Sequence, residues 1–208
     1  MEKTGLRELK KARTRRLIAE TAARLFAEHG YEQVAVVDVA HEAEVAEQTV
    51  YNYFPTKEQL VTDREAQVRD RLCELIRSRP AAVTPAAAIR DFVLESVAGI
   101  RDIPPELWRG ELGYLAAISP TVRRLALEMI DRQAAALGEA IGTTAVPAEI
   151  ARLQGIALAG VFRILIGEAG RRTVDGQSQS RIADELYPAI ENILDELDLW
   201  FRTGSRRD

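Results

Sequence analysis

Residues 36–57 read VVDVAHEAEVAEQTVYNYFPTK, and this stretch decides how the N-terminal part of the chain folds. It contains two short apolar-patterned segments, residues 36–43 and 46–54, separated by a tight connection at Glu44 and Val45. Small alanines let two helices cross closely and valines fill a small core, as in a helix-turn-helix. Because such a pair buries little surface alone, we expect it to pack on the amphipathic helix over residues 10–29.

Helical periodicity continues through the rest of the chain. Apolar residues recur every three or four positions in segments 56–79, 85–101, 106–118, 119–141 and 147–172, and again in a last helix after Gly176. Thr56 and Gln59 form a capping-box pattern at the start of the first of these helices. Residues 34–37 alone could be a strand fragment, but no partner strand is evident. We therefore predict an all-α fold of about nine helices, with one domain over residues 1–55 and a second over residues 56–208.

The distribution of charge is more informative than its total. The 208 residues carry a net charge of −4, and 47% of them are hydrophobic, enough for a packed core. Residues 1–20 hold seven Lys and Arg against three acids, whereas residues 31–60 hold six acids against Lys57. A basic head on an acidic body is typical of a chain whose one end meets a polyanion. The alternative is a solvated, disordered basic tail.

The second short helix carries side chains suited to DNA. Glu47 can accept from cytosine, Gln48 can pair with adenine, and Thr49 and Tyr53 can donate to phosphates. The alternative is a surface helix whose aromatic residues belong to the core. We expect most phosphate neutralisation to come from the basic arm instead, which could reach a minor groove. The arm includes Arg15 and the four residues that we select as its candidate contacts: Lys10, Lys11, Arg13 and Arg16.

A family resemblance supports this interpretation. Phe26, Gly30-Tyr31, Asp38-Val39-Ala40, Ala43, Val45 and the run from Thr49 to Glu58 resemble the tetracycline-repressor (TetR-like) regulators over about a quarter of the chain. The resemblance implies a three-helix DNA-binding unit and a helical body that dimerises and encloses a small-molecule pocket. It implies phosphate contacts at Thr49, Tyr53 and Lys57, and positions near bases for Glu47, Gln48, Tyr51 and Asn52.

Four positions depart from the family pattern. Glu44 stands in the turn where glycine is usual, and a left-handed backbone there costs about 1–2 kcal/mol for a residue with a side chain. Ala35 and Ala46 replace hydroxyl caps, a loss of roughly 1 kcal/mol each. Val37 replaces a polar or basic DNA contact. These departures bear on DNA affinity and sequence choice more than on the fold.

A ligand pocket is expected within the body. Eight large apolar residues of the middle helices are candidates for its lining, with a plain core role as the alternative: Phe92, Trp108, Leu112, Leu115, Leu125, Met129, Phe162 and Leu165. Arg163 stands out as a charge on an apolar helix. It could anchor an acidic ligand, pair with a carboxylate across a dimer, or extend its charged end into solvent.

The last two helices favour a homodimer. Their apolar stripes are too extensive for one small body to cover both, so pairing with a two-fold mate would form a four-helix bundle. The candidate interface residues are Leu158, Val161, Ile166, Ile190, Leu194 and Leu197. Two-fold symmetry predicts a palindromic operator.

Several other classes are disfavoured by the sequence. We find no nucleophile constellation, phosphate loop or metal-ligand set, so we predict no enzymatic activity, no cofactor and no metal. Cys73 is the only cysteine, the start of the chain is charged, and residues 155–167 are too few to span a bilayer, which together favour a cytoplasmic protein. The predicted function is that of a repressor released from its operator by a small-molecule inducer. Two alternatives remain. A constitutive DNA-binding protein would show no ligand-induced thermal shift, and a helical enzyme would show turnover without DNA affinity.

Overall fold

The computed structural model describes residues 2–142 and 146–204. Within these ranges the regular structure is helical, and residues 34–37 form no strand, because residues 34–35 are irregular and α2 begins at Val36; the all-α prediction is confirmed. The helices are α1 (Glu2–His29), α2 (Val36–Glu42), α3 (Glu47–Tyr53), α4 (Lys57–Val61), α5 (Glu65–Ser78), α6 (Pro85–Ala98), a 3₁₀ helix (Gly99–Asp102), α7 (Pro105–Trp108), α8 (Leu112–Ile118), α9 (Pro120–Gly142), α10 (Ala148–Val174) and α11 (Gln179–Gly204).

Two of the predicted helices are each divided in the structure, so the described residues form eleven α-helices instead of about nine. The predicted helix 56–79 is interrupted between α4 and α5, where the Arg15 guanidinium of α1 binds the Asp63 carboxylate. The predicted helix 106–118 is interrupted at Gly110, which packs on α1. The expected Thr56 capping box is also wrong. The Thr56 side chain makes no capping hydrogen bond, and the backbone N–H of Gln59 donates to the Thr56 carbonyl at 3.2 Å.

The first compact unit contains α1 to α4 together with the distant segment Pro104–Arg123. Its core is formed by fully buried residues of the first three helices and their connections, namely Ile18, Ala22, Phe26, Val39, Val50 and Phe54. A Cβ placed on Gly110 would lie 1.9 Å from the Ala23 carbonyl oxygen, so this segment touches the α1 backbone directly. The unit therefore extends beyond residue 55 and includes residues that the predicted division assigns to the body.

The second compact unit contains Arg64–Ile103 and the chain from Arg124 onward. Here α6 packs along α11, α11 packs on α10, and α10 runs antiparallel to α9. A Cβ on Gly155 would lie 2.5 Å from both the Ala134 carbonyl oxygen and the Gly138 amide nitrogen. Glycine at residue 155 thus permits a backbone contact between α9 and α10.

Helix α10 has the length and composition of a membrane span. It contains 27 residues, more than the apolar segment 155–167 considered alone, and its mean hydropathy over an 18-residue window reaches 1.6. The core helix of a water-soluble bundle meets the same criteria, and α10 packs against both α9 and α11. In the second unit, 39% of this apolar window is buried.

Candidate nucleic-acid interface

Helix α3 presents four polar or aromatic side chains on one exposed face. Val50 is fully buried and fixes the opposite face against the core of the first unit. Glu47, Gln48, Tyr51 and Asn52 are all exposed. At about 100° per residue they span an arc of about 140°. This is the set that the resemblance places near bases, and the structure brings it together on one accessible helix face.

The side chains of Gln48 and Asn52 are joined on this face. The Gln48 Nε2 donates to the Asn52 Oδ1 at 3.2 Å, one helical turn away. This bond holds two amide groups side by side, and each keeps further donors or acceptors. Amide side chains pair with the N6 and N7 edge of adenine, so the pair is arranged for base contact in the major groove.

The turn before α3 adopts the strained conformation that its sequence predicts. Glu44 has a φ of 53°, the one positive φ of a non-glycine residue among those described. The Glu44 amide donates to the His41 carbonyl at 3.1 Å, and the Val45 amide donates to the Ala40 carbonyl at 3.0 Å. The turn is therefore closed by backbone bonds despite the side chain.

The caps of α2 and α3 are weak, as the sequence indicates. Neither Ala35 nor Ala46 provides a side-chain cap. At α2 the Asp38 carboxylate partly compensates, because its Oδ2 accepts from the Ala35 amide at 2.7 Å. Val37 is 52% exposed at the start of this helix, so an apolar side chain stands on the surface where the family pattern has a polar contact.

Arg15 anchors α1 to the end of α3, a role that the sequence analysis did not assign. Its Nη1 donates to the Tyr53 carbonyl at 2.8 Å, its Nη2 pairs with Asp63, and its guanidinium lies 4.4 Å from the centre of the Phe54 ring. Through these three contacts Arg15 holds α1 both to the end of α3 and to Asp63 after α4. Arg15 therefore has a structural role in the unit. Charge alone could not separate it from the neighbouring cations of the arm.

Lys57 is also engaged within the protein. Its ammonium donates to the Tyr31 carbonyl and lies 4.1 Å from the centre of the Tyr31 ring. Burial lowers the pKa of Lys57 below its usual value, although Glu32 and Glu58 oppose that shift. Burial likewise raises the pKa of Tyr31 to about 12. In this conformation Lys57 fastens the start of α4 to the loop after α1, and its ammonium is not directed outward to a phosphate.

The basic arm is a helical extension of α1. Lys10, Lys11, Arg13 and Arg16 are all exposed, and Arg16 pairs with Glu20 at 2.7 Å. Lys11 lies one turn before Arg15 on the same side of the helix, the side that faces the end of α3. Arg13 points about 160° away from that side at 100° per residue. Thr49 and Tyr53 are half-buried at the edge of α3.

The candidate pocket residues are divided between the two units. Trp108, Leu112 and Leu115 belong to the first unit, whereas Phe92, Leu125, Met129, Phe162 and Leu165 belong to the second. Leu115, Met129 and Phe162 are buried and the other five are half-buried. Arg163 is exposed on α10, so it does not enter the core of its unit and cannot anchor a ligand there.

Most of the candidate dimerisation residues lie inside the single chain. Leu158, Val161, Ile190 and Leu194 are at most 1% exposed, while Ile166 and Leu197 are half-buried. The buried four hold α10 and α11 to the rest of their unit, so they offer no surface to a second chain. The exposed large apolar residues of α10 are others: Ile150, Leu153, Ile156, Ile164 and Val174. Periodicity identified the apolar helices but could not distinguish which stripe the chain itself covers.

No group of three potential metal ligands occurs in the described parts of the chain. Both histidines lie in the first unit. The His29 Nε2 is 3.7 Å from the Glu28 Oε2, and His41 is exposed in α2. The acidic residues are instead engaged with arginines on the surface, as in the pair of Arg172 and Glu185 at 2.7 Å.

Comparison with known proteins agrees with this geometry. Residues 18–63 match the model of the bacterial regulatory proteins of the tetR family, and these residues include the whole helix-turn-helix. The N-terminal part of the chain thus carries a DNA-binding domain of the tetR-family type. The tetR-family match covers α3, the second helix of the helix-turn-helix. The chain is 24% identical over 135 residues to the HTH-type transcriptional regulator TcmR of Streptomyces glaucescens, covering 65% of this chain and 55% of that protein.

Two further proteins extend the comparison. An HTH-type transcriptional regulator named YuxN, from Bacillus subtilis, is 27% identical over 115 residues, covering 53% of this chain and 40% of its own. The chain thus spans about half the length of these curated relatives. The solved structure of NalD from Pseudomonas aeruginosa matches with a TM-score of 0.55 at 21% identity, covering 86% of this chain and 96% of that one. The NalD match supports the helical fold over the matched part of the chain.

Proposed function

We propose that this chain is a cytoplasmic transcriptional repressor of the TetR family that binds a palindromic operator as a homodimer and releases it when a small molecule binds. The observation that carries the proposal is the exposed face of α3, with Glu47, Gln48, Tyr51 and Asn52 together. A helix of this kind fits the major groove, where amide and carboxylate groups distinguish base pairs.

Sequence reading and phosphate binding are divided between two helices in this proposal. The stretch around α3 is acidic, so it would bind DNA weakly by charge alone. The exposed cations of α1, with Lys11 on the same side of the helix as Arg15, supply the attraction to phosphates. The side chains of α3 then select the sequence, as base contacts do in other groove-binding helices.

The homodimer is supported by the outer face of α10. Ile150, Leu153, Ile156 and Ile164 are 41–59% exposed and lie within about 120° of one another around the helix. Gly160 and Gly167 open onto the same face, and a Cβ at either would meet nothing within 4 Å. A wide apolar face with small residues suits close packing against a two-fold mate. This face replaces the buried residues as our candidate interface.

Release by a ligand requires that the ligand bind the released conformation better than the DNA-bound one. The break between α4 and α5 argues against one continuous helix over residues 56–79 that would couple ligand binding to DNA release. Helix α9 is a better candidate, because it starts in the first unit and continues into the second. Its Ser119 cap accepts from the Val122 amide at 3.1 Å and donates to the Glu32 carboxylate near α2.

Selection of DNA from a random library tests the proposal. Purified wild-type protein should enrich a two-fold symmetric sequence, and the Gln48→Ala variant should lose enrichment at one position of each half-site. Enrichment without symmetry would contradict the dimer on a palindrome. Recovery of no common sequence would contradict sequence-specific binding altogether.

A further inference from the structure

Two glutamine side chains lie in the interior of the second unit without complete hydrogen bonding. Gln133 on α9 is 3% exposed and Gln154 on α10 is 4% exposed. Within the described residues, the Gln133 Nε2 and the Gln154 Oε1 have no hydrogen-bond partner. Buried amide groups in proteins are nearly always paired, so each such group calls for an explanation.

The two glutamines lie within about one turn of each other along a helix pair. Gly155 of α10 meets the backbone of Ala134 and Gly138 equally closely, and the two helices run antiparallel, so Gly155 is level with about residue 136. Gln154 is then level with about residue 137, which separates it from Gln133 by about 6 Å along the helix axes at 1.5 Å per residue.

Both glutamines also belong to the inward stripes of their helices. Gln133 lies between Ile130 and Leu137 at helical spacing, and both of these are buried. Gln154 lies between Ala151 and Leu158 in the same way, and these are buried too. The amides therefore enter an apolar interior from adjacent helices.

The unpartnered atoms are complementary in character. The Gln133 nitrogen is a donor and the Gln154 oxygen is an acceptor. One group that both accepts and donates, such as a hydroxyl or a carboxamide, would satisfy the two together. No Asp, Glu, Lys or Arg is buried among the described residues, so this interior offers no counter-charge to an ionised molecule.

We propose that Gln133 and Gln154 form the polar anchor of the ligand site, and that the ligand is a neutral, largely apolar molecule bearing a hydroxyl or carboxamide group. This inference rests on the proposed function in expecting a ligand at all. It replaces the anionic ligand that Arg163 suggested. It also places the anchor on α9, the helix that continues into the first unit.

Calorimetric titration of the full chain with three probes of one chain length tests the proposal: 1-octanol, methyl octyl ether and octanoate. The ether can accept but not donate, and octanoate is ionised at neutral pH. We expect 1-octanol to bind at least tenfold more tightly than either other probe. In Gln154→Leu the preference for 1-octanol over the ether should fall to within about twofold, and Gln133→Leu should weaken both.

Gln177→Leu is the matched control, since the Gln177 Oε1 is also unpartnered but lies after α10, outside the helix pair. Its affinity for 1-octanol should equal that of the wild type. Equal binding of 1-octanol by Gln133→Leu, Gln154→Leu and wild type would overturn the proposal. So would binding of no probe up to its solubility limit, the result expected if the amides hold only a buried water. DNA binding by the unliganded protein, measured in parallel, tests the proposed function separately.

Discussion

Glu44 has an unfavourable backbone conformation that the surrounding turn tolerates. Its φ of 53° lies in the left-handed region, which costs a residue with a Cβ about 1–2 kcal/mol. The backbone bonds on either side of it and the buried valines of α2 and α3 hold the turn closed nonetheless. The sequence predicted this strain from the family pattern alone, because the turn geometry is set by the crossing of two helices.

Glu44→Gly should therefore stabilise the protein by about 0.5–1 kcal/mol. Part of the relief is offset by the greater freedom of glycine in the unfolded chain. Glu44→Ala is the control, because it removes the charge but keeps the Cβ. Urea unfolding curves should show a gain for Gly and none for Ala; equal gains would mean that the charge, and not the backbone, is responsible.

The cations of α1 separate into two roles at the residue scale. Arg15 is committed to Tyr53, Asp63 and Phe54, whereas Lys11 is exposed one turn away on the same side of α1. Sequence composition marked the whole run as basic, but only the contacts of the folded chain distinguish an anchor from a free cation.

Lys11→Ala should weaken DNA binding and reduce the slope of log affinity against log salt concentration by about 1, the loss of one phosphate contact. Arg13→Ala, on the other side of α1, is the matched control and should change the slope less. Fluorescence anisotropy titrations at several salt concentrations provide the measurement. A larger effect for Arg13 would place the DNA on the opposite face of α1.

At the scale of elements, the sequence predicted helices well and their interruptions poorly. No glycine or proline marks the break between α4 and α5; instead the Arg15 contact with Asp63 accompanies it. Such a tertiary contact joins residues 48 positions apart, and no local pattern reports it. Gly110, by contrast, is a glycine that the sequence itself shows at the interruption. Its close packing on α1 is known only from the structure.

Gly110→Ala should destabilise the first unit by about 1–3 kcal/mol, because its Cβ would collide with the Ala23 carbonyl. Gly99→Ala is the control: Gly99 is in a helical conformation and a Cβ there would meet nothing within 4 Å. Thermal unfolding should show a lower midpoint for Gly110→Ala and an unchanged or slightly higher one for Gly99→Ala. A wild-type midpoint for Gly110→Ala would contradict the close packing of this segment on α1.

At the scale of the whole molecule, the recognition surface could be predicted more fully than the body. The four α3 residues that the resemblance places near bases share one exposed face, because a seven-residue helix with one buried valine leaves little choice. In the body, α10 is apolar on several sides, so periodicity could not say whether Leu158 or Ile156 faces outward. The polar anchor at Gln133 and Gln154 was missed because glutamines at helical positions give no signal of burial.

Ile156→Asp should convert the dimer to a monomer with little effect on the fold, since Ile156 is 59% exposed on the face proposed for pairing. Placing a charge in an apolar interface leaves it unpaired and desolvated. Leu127→Asp is the matched control, an exposed apolar residue of α9 away from that face. Sedimentation analysis should show a monomer only for Ile156→Asp; a wild-type dimer in that variant would move the interface elsewhere.

The central claim, that α3 reads a DNA sequence, is tested most directly by comparing affinity for the selected palindrome with affinity for a scrambled duplex of the same composition. We expect wild-type protein to prefer the palindrome by at least about 10³-fold at physiological salt. In Gln48→Ala that preference should fall by about 1–3 kcal/mol, while the salt dependence stays the same. Equal affinity of the wild type for both duplexes would contradict the account.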